Sequence, residues 1–187
     1  MCDNITPSQT LSKPCADHWL QDITDTESDL NCLLSLIAPD MLCAGMEAIS
    51  QLKDNNPDHN NLKLWSSAFS AITVIVNRIT FAHRDQGGWP ACFDFLVVAG
   101  DYEKSTLDVA DLGAKFNYEP GTVVAICGKV LRHSVWQWTG GEQICYVHYM
   151  CNNVHNCLNV RQTSWVRDRD YFRWMSPGFL RRTKRVV

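Results

Sequence analysis

The spacing of apolar positions changes period near Trp65. Before it, Leu30, Leu33, Leu34 and Ile37 recur every three or four residues, and Leu42, Met46 and Ile49 do the same. That spacing stacks apolar side chains on one face of a helix. Pro39-Asp40 separates the two stretches, because proline suits a first helical turn and not a helix interior. The second helix is expected to end near Lys53. Residues 54–61 read as a polar loop with a turn at Asn56-Pro57. Residues 1–28 are rich in Ser, Thr, Asp and Asn and read as a flexible N-terminal arm.

Beyond Trp65 the runs are short and β-branched. Segments 71–76, 93–99, 122–126, 129–135 and 144–150 read as strands. Glu119-Pro120-Gly121 places Pro and Gly for a type II turn. Gly140-Gly141 lies in the loop between the last two strands. Several short strands with turn signals predict a mainly β (α+β) domain, a sandwich or barrel, with the preceding helices packed on one sheet. No internal repeat is visible.

Composition adds three constraints. A chain of 187 residues with seven Trp, seven Phe and five Tyr can build one domain with a sizeable core. The net charge of −3 is unevenly spread: from Arg161 onward eight Lys/Arg face only Asp168 and Asp170, a local balance of +6 that leaves −9 elsewhere. A basic tail over 166–187 suits a phosphate or an acidic partner, and a solvated terminus is the plain alternative. The opening stretch through Asp29 is polar and lacks a secretory signal, and no apolar run approaches the roughly 20 residues that span a bilayer. These features point to an intracellular protein without a membrane segment. On that basis the nine Cys are expected to be free thiols, mostly in the core.

The candidate chemistry starts at His83-Arg84-Asp85. Residues two apart on a strand point the same way, so His83 and Asp85 can share one ion. His133, on a later strand, would complete two imidazoles and one carboxylate on one face of a metal. Such a set leaves adjacent positions open for reagents, as a non-heme Fe(II) oxygenase requires. Alone, H-x-D is a weak motif that arises by chance in a chain with six His. A second grouping is Cys145, His148, Cys151, His155 and Cys157. A strand over 144–150 puts His148 on the opposite face from Cys145 and Cys151, and the spacing matches no standard zinc module.

Four segments together are more specific. They are Asn77-Arg78-Ile79-Thr80-Phe81-Ala82-His83-Arg84-Asp85, then Phe95-Leu96-Val97-Val98-Ala99-Gly100-Asp101-Tyr102, then Tyr118-Glu119-Pro120-Gly121-Thr122-Val123-Val124, and Leu131-Arg132-His133-Ser134-Val135 followed by Gly141-Glu142-Gln143-Ile144-Cys145. In order and spacing they resemble the TET/JBP oxygenase domain as expanded in fungi. The likeness covers about residues 30–165, which suggests an arm over 1–28, an oxygenase domain over 29–165 and a basic tail over 166–187.

The resemblance implies a double-stranded β-helix (jelly roll) that uses Fe(II), 2-oxoglutarate and O2. It implies oxidation of the methyl group of a DNA base, such as 5-methylcytosine, thymine or N6-methyladenine, with DNA demethylation and a nuclear location by family analogy. The implied iron ligands are His83, Asp85 and His133. The implied partner is DNA whose methylated base is flipped out or single-stranded, held between Arg78 and Tyr149. The plain alternatives are a strand-end salt bridge for Arg78 and a core ring for Tyr149. Gly88 stands where some relatives have an acid, and Cys151 where some have a His.

One departure is costly. Ten residues after the distal His the family has an Arg that pairs with the far carboxylate of 2-oxoglutarate; this chain has Gln143. A bidentate charged pair becomes at best a neutral hydrogen bond. Arg132 points to the other face of its strand, and Lys129 lies four residues from His133, so neither replaces it. Two alternatives to a base dioxygenase follow: a nucleobase- or DNA-binding module impaired in turnover, or an oxygenase of a small molecule or protein side chain.

Overall fold

The computed structural model describes residues 5–161 and 163–165. The basic tail therefore lies outside the described residues. Two compact units form, one from the helices before Ser70 with the described residues from Asn153 onward, the other from Ala71–Asn152.

The first unit is helical: α1 (Ala16–Asp22), α2 (Thr24–Ile37), α3 (Pro39–Asn55), α4 (Asn60–Lys63) and α5 (Asn152–Cys157). The expected arm over 1–28 is corrected here, since α1 and the first turn of α2 fall inside it. Ala16 and Leu20 lie four apart on α1 and are both buried, a stripe too short to stand out among polar neighbours. The boundary at Pro39 holds, with the proline in the first turn of α3, where its missing N–H costs nothing. The expected loop at 54–61 instead starts α4 at Asn60, whose Leu62 N–H is accepted by the His59 ring. Among the described residues seven cysteines take part in no disulfide, whereas Cys157 is disulfide-bonded, so the expectation of thiols throughout fails there. No helix among the described residues is long and apolar enough to cross a membrane.

The second unit holds eight strands: β1 (Ala71–Val76), β2 (Thr80–His83), β3 (Asp94–Gly100), β4 (Thr106–Val109), β5 (Ala114–Asn117), β6 (Val123–Ile126), β7 (His133–Val135) and β8 (Gln143–Tyr149). They form two antiparallel sheets in the orders β1-β8-β3-β6 and β2-β7-β4-β5. That interleaving of near and far strands is a jelly roll, the double-stranded β-helix. Leu96, Val98, Ile126 and Cys145 from one sheet meet Leu107, Val109 and Val135 from the other in the core.

The expected strands at 71–76, 93–99, 122–126 and 144–150 agree with β1, β3, β6 and β8 to within a residue. The strand expected over 129–135 is only its last three residues. Cys127 O accepts from both Val130 N and Leu131 N, a turn that postpones β7 to His133. The type II turn is present: Gly121 has φ of 87° and Thr122 N donates to Glu119 O. Strands β2, β4 and β5 are four residues each and carry no continuous apolar signal.

Leu107 sits wholly buried between the sheets. Replacing it with Ala removes about 2–5 kcal/mol of stability, read by urea unfolding of the full chain. A loss below about 1 kcal/mol would mean that the two sheets do not close on this residue.

Candidate metal centre

The centre depends on a register shift in β2. Thr80 pairs with Val135, and a regular antiparallel ladder would then pair His83 with Arg132. Instead His83 pairs with His133, because one extra residue is accommodated between Thr80 and His83. Such a bulge re-aims every side chain beyond it. Thr80 and His83, an odd number of residues apart, thereby both face the cavity between the sheets. The imidazoles of His83 and His133 become a directly opposed cross-strand pair, with ring centroids 4.5 Å apart.

β2 ends at His83, and Asp85 follows in the chain just beyond it, held by donation from its N–H to Gly128 O. Its carboxylate approaches both rings: Oδ1 lies 3.3 Å from His83 Nε2 and Oδ2 lies 3.7 Å from His133 Nε2. The three donor atoms all lie within 4.8 Å of one another. Adjacent ligands of an octahedral ion with bonds of about 2.1 Å are about 3 Å apart, so the donor set fits a divalent cation with small adjustments. The ring nitrogens are oriented for it. His83 Nδ1 lies 2.9 Å from Phe81 O and His133 Nδ1 lies 3.0 Å from Leu131 O. Each carbonyl requires a proton on Nδ1, which leaves the Nε2 lone pair for a metal.

Two residues that sequence reasoning passed over support this set. Arg84 donates through Nε to Val130 O and through Nη2 to Asp111 Oδ2, both at 2.7 Å. Asp111 also accepts the Arg132 N–H, the first reason its carboxyl sits below the usual range. The residue between the two ligands thus anchors the end of β2 to the entry of β7. Gly128 is the second. A Cβ on it would collide with the carboxylates of both Asp85 and Asp94. Its N–H donates to Asp94 Oδ2 at 3.1 Å and its carbonyl accepts from Asp85, so the backbone must pass between the two acids. Neither role has a local sequence signal, because the partners are more than 25 residues away.

A cavity of about 260 Å³ surrounds the donors. The alternate residues Gln143, Cys145, Val147 and Tyr149 of β8 line it, as do Arg78, Gly88 and Asp94. Of the anticipated site residues, His83, Asp85, His133, Gln143, Arg78, Tyr149 and Gly88 all reach this space. Cys151 does not: β8 stops at Tyr149 and α5 starts at Asn152, so the alternation that would carry Cys151 inward ends first. His148 faces away from Cys145, and no zinc-like set forms from the cysteines among the described residues.

The Gln143 end of the cavity is neutral. Gln143 is buried, with its side-chain Nε2 donating to Ser105 Oγ at 3.1 Å and its backbone bonded both ways to Asn77. Tyr102 donates to Tyr118 O at 2.7 Å, and the Tyr118 hydroxyl lies 3.2 Å from Cys145 Sγ. Burial pushes both phenols and the Cys145 thiol up, so all stay uncharged near neutrality. Arg78 is the only Lys or Arg lining the cavity among the described residues, and Lys129 and Arg132 are absent from its lining. At the opposite wall Asp94 is pushed up to about 7, first by burial and then by the charge of Asp85.

Gly128→Ala is expected to displace the Asp85 carboxylate and weaken Mn(II) or Fe(II) affinity about 10- to 100-fold while circular dichroism stays unchanged. Unaltered affinity in a folded variant would show that Asp85 is not held by this passage.

The family model described as the oxygenase domain of the 2OGFeDO superfamily (Tet_JBP) matches residues 19–152. None of the curated proteins matches the chain. Among solved structures, NgTET1 in complex with 5mC DNA is similar over 95% of this chain and 62% of that one, with a TM-score of 0.61 and 17% identity. The likeness to that structure is one of fold, and this chain spans less than two thirds of its length. The family match covers most of the chain, from within α1 to the start of α5, and includes the whole donor set: the chain belongs to the TET/JBP family of 2-oxoglutarate- and Fe(II)-dependent oxygenase domains.

Proposed function

We propose that this protein is an Fe(II)- and 2-oxoglutarate-dependent dioxygenase that oxidises the methyl group of a modified base in DNA. The observation that supports it best is the convergence of His83, Asp85 and His133 in the same cavity as Arg78, Gln143 and Tyr149. Family membership supports the cofactor set, and the DNA in the NgTET1 structure supports the substrate class.

His83, Asp85 and His133 would hold the ferrous ion through one face, leaving three adjacent positions for cosubstrate and O2. When bound, iron with O2 and 2-oxoglutarate supplies the oxidising power that no side chain has. The chain's own work is positioning. The His83 and Asp85 side chains are 38% and 33% exposed while His133 is 6% exposed, so reagents arrive from the His83–Asp85 side. The Gln143 amide, held by Ser105, offers a neutral donor to the far carboxylate of 2-oxoglutarate. Arg78 and Tyr149 present a guanidinium and a ring, each suited to stacking on a flat base. A space of about 260 Å³ admits a small acid and a single ring but not a duplex, so the base enters flipped out or from a single strand. The basic residues after Arg161 would hold phosphates, and a role on DNA makes a nuclear location the matching one.

Gln143 also favours a second reading, a nucleobase-binding module that has lost turnover. Losing a charge-assisted bond in a closed site costs about 1.5–3 kcal/mol. The decisive assay is succinate release with Fe(II), 2-oxoglutarate and methylated oligonucleotides. The wild type is expected to release succinate, and Gln143→Arg to lower the 2-oxoglutarate requirement about 10- to 100-fold. Turnover by the variant alone would make the natural chain a binding module. Silence from both would end the enzyme reading.

A further inference from the structure

Asp94 opens β3 and, two residues before Leu96 on the same face, points between the sheets into the cavity. It is 2% exposed. Its Oδ2 accepts from Gly128 N, but Oδ1 has no hydrogen-bond partner among the described residues. A buried carboxylate oxygen without a donor is expensive, and in a native fold it calls for a bound partner, a water or ion, or a chemical role. Asp85 faces the two imidazoles, so Asp94 is the one remaining acid in the cavity wall.

The wall beside it is bare. A Cβ on Gly88 would stand 3.5 Å from Asp94 Oδ1 and 3.6 Å from Oδ2, so the Asp94 carboxyl group fills the direction a side chain at 88 would take. Gly87, next to it, has nothing within 4 Å of its own Cβ position. With no side chain at 87 or 88, the space beside the Asp94 carboxyl group on that side is left unfilled.

An orphan acceptor in a cavity that takes a flat ring selects for a ring with a donor. Cytosine carries N4–H and adenine N6–H on their edges, whereas thymine presents the O4 acceptor at the corresponding place. Resting on the proposal that the cavity takes a methylated base, we infer that Asp94 is its specificity-determining residue. Asp94 Oδ1 accepts the exocyclic N–H of a methylated cytosine or adenine and rejects thymine.

The test is binding, so it does not depend on turnover. Fluorescence anisotropy with the Mn(II)-loaded full chain, without 2-oxoglutarate, compares single strands of one sequence. Each strand carries at one position 5-methylcytosine, N6-methyladenine, thymine, or 5-methylpyrimidin-2-one, which keeps the pyrimidine ring and its methyl group but lacks the 4-amino group. The wild type is expected to prefer an amine-bearing strand over both amine-free strands by about tenfold or more. A preference led by 5-methylcytosine assigns a pyrimidine, and one led by N6-methyladenine a purine. In Asp94→Asn, whose amide always carries a donor and can never be an anionic acceptor, that ratio falls towards one while Mn(II) affinity persists. The wild-type comparison with 5-methylpyrimidin-2-one stands even if the variant folds poorly. Equal wild-type affinity for amine-bearing and amine-free strands, or an unchanged ratio in a folded Asp94→Asn, overturns the role of Asp94 and leaves the dioxygenase proposal standing. Failure of the wild type to bind any strand overturns the DNA proposal, and this inference with it.

Discussion

One extra residue in β2 brings together the donor set of the candidate metal centre. Without the bulge between Thr80 and His83, the ladder would set His83 against Arg132 and turn its ring away from the cavity. With it, two imidazoles face each other across adjacent strands and Asp85 closes the third corner. The bulge is stabilised on both sides. Arg84 ties the far end of β2 to Val130 and Asp111, and the carbonyls of Phe81 and Leu131 fix the tautomer of each ring. A jelly roll supplies the rigid walls for this, since neighbouring strands from both sheets are bonded along their length and cannot slip without exposing the core between them.

Electrostatics divide the cavity into two ends of different character. Around Asp85 and Asp94 two carboxylates converge on Gly128, and the cost of that proximity appears in the raised Asp94. A divalent cation held there would offset the negative charge gathered around Gly128. Around Gln143 the groups are buried, hydrogen-bonded and uncharged. An arginine at 143 would provide a fixed positive charge for a dicarboxylic acid; the glutamine leaves Arg78, which makes no ion pair among the described residues, as the cavity's one cationic side chain. The cavity therefore offers fewer fixed positive charges than the family pattern implies.

Much of this was legible in the residues, for reasons that differ by element. Strands β1, β3, β6 and β8 carry β-branched or apolar runs, because they form one sheet packed from strand to strand, and those runs mark them plainly. Strands β2, β4 and β5 are short, and β5 is largely exposed, so their pairing comes from neighbours and not from local pattern. The convergence of His83, Asp85 and His133 was anticipated from H-x-D with a distant His inside a family likeness, although strand alternation alone does not explain it: His83 closes β2 and Asp85 lies beyond it. Arg78, Tyr149 and Gln143 line the cavity, whereas Cys151 lies past the end of β8 and does not. Asp94, Gly128 and Arg84 escaped notice because their meaning lies in partners far along the chain. α1 escaped because a stripe as short as Ala16 and Leu20 is hard to tell from chance in a polar stretch.

The convergence of three side chains on one ion is the claim beneath all the others, and it can be seen directly. Crystals of the full chain grown with Mn(II) and measured at the manganese edge would locate the metal by anomalous scattering. The account predicts one strong peak bonded to His83 Nε2, the Asp85 carboxylate and His133 Nε2, with the Thr80–His83 bulge intact. An empty site with the imidazoles turned apart, or manganese bound only elsewhere, would contradict it.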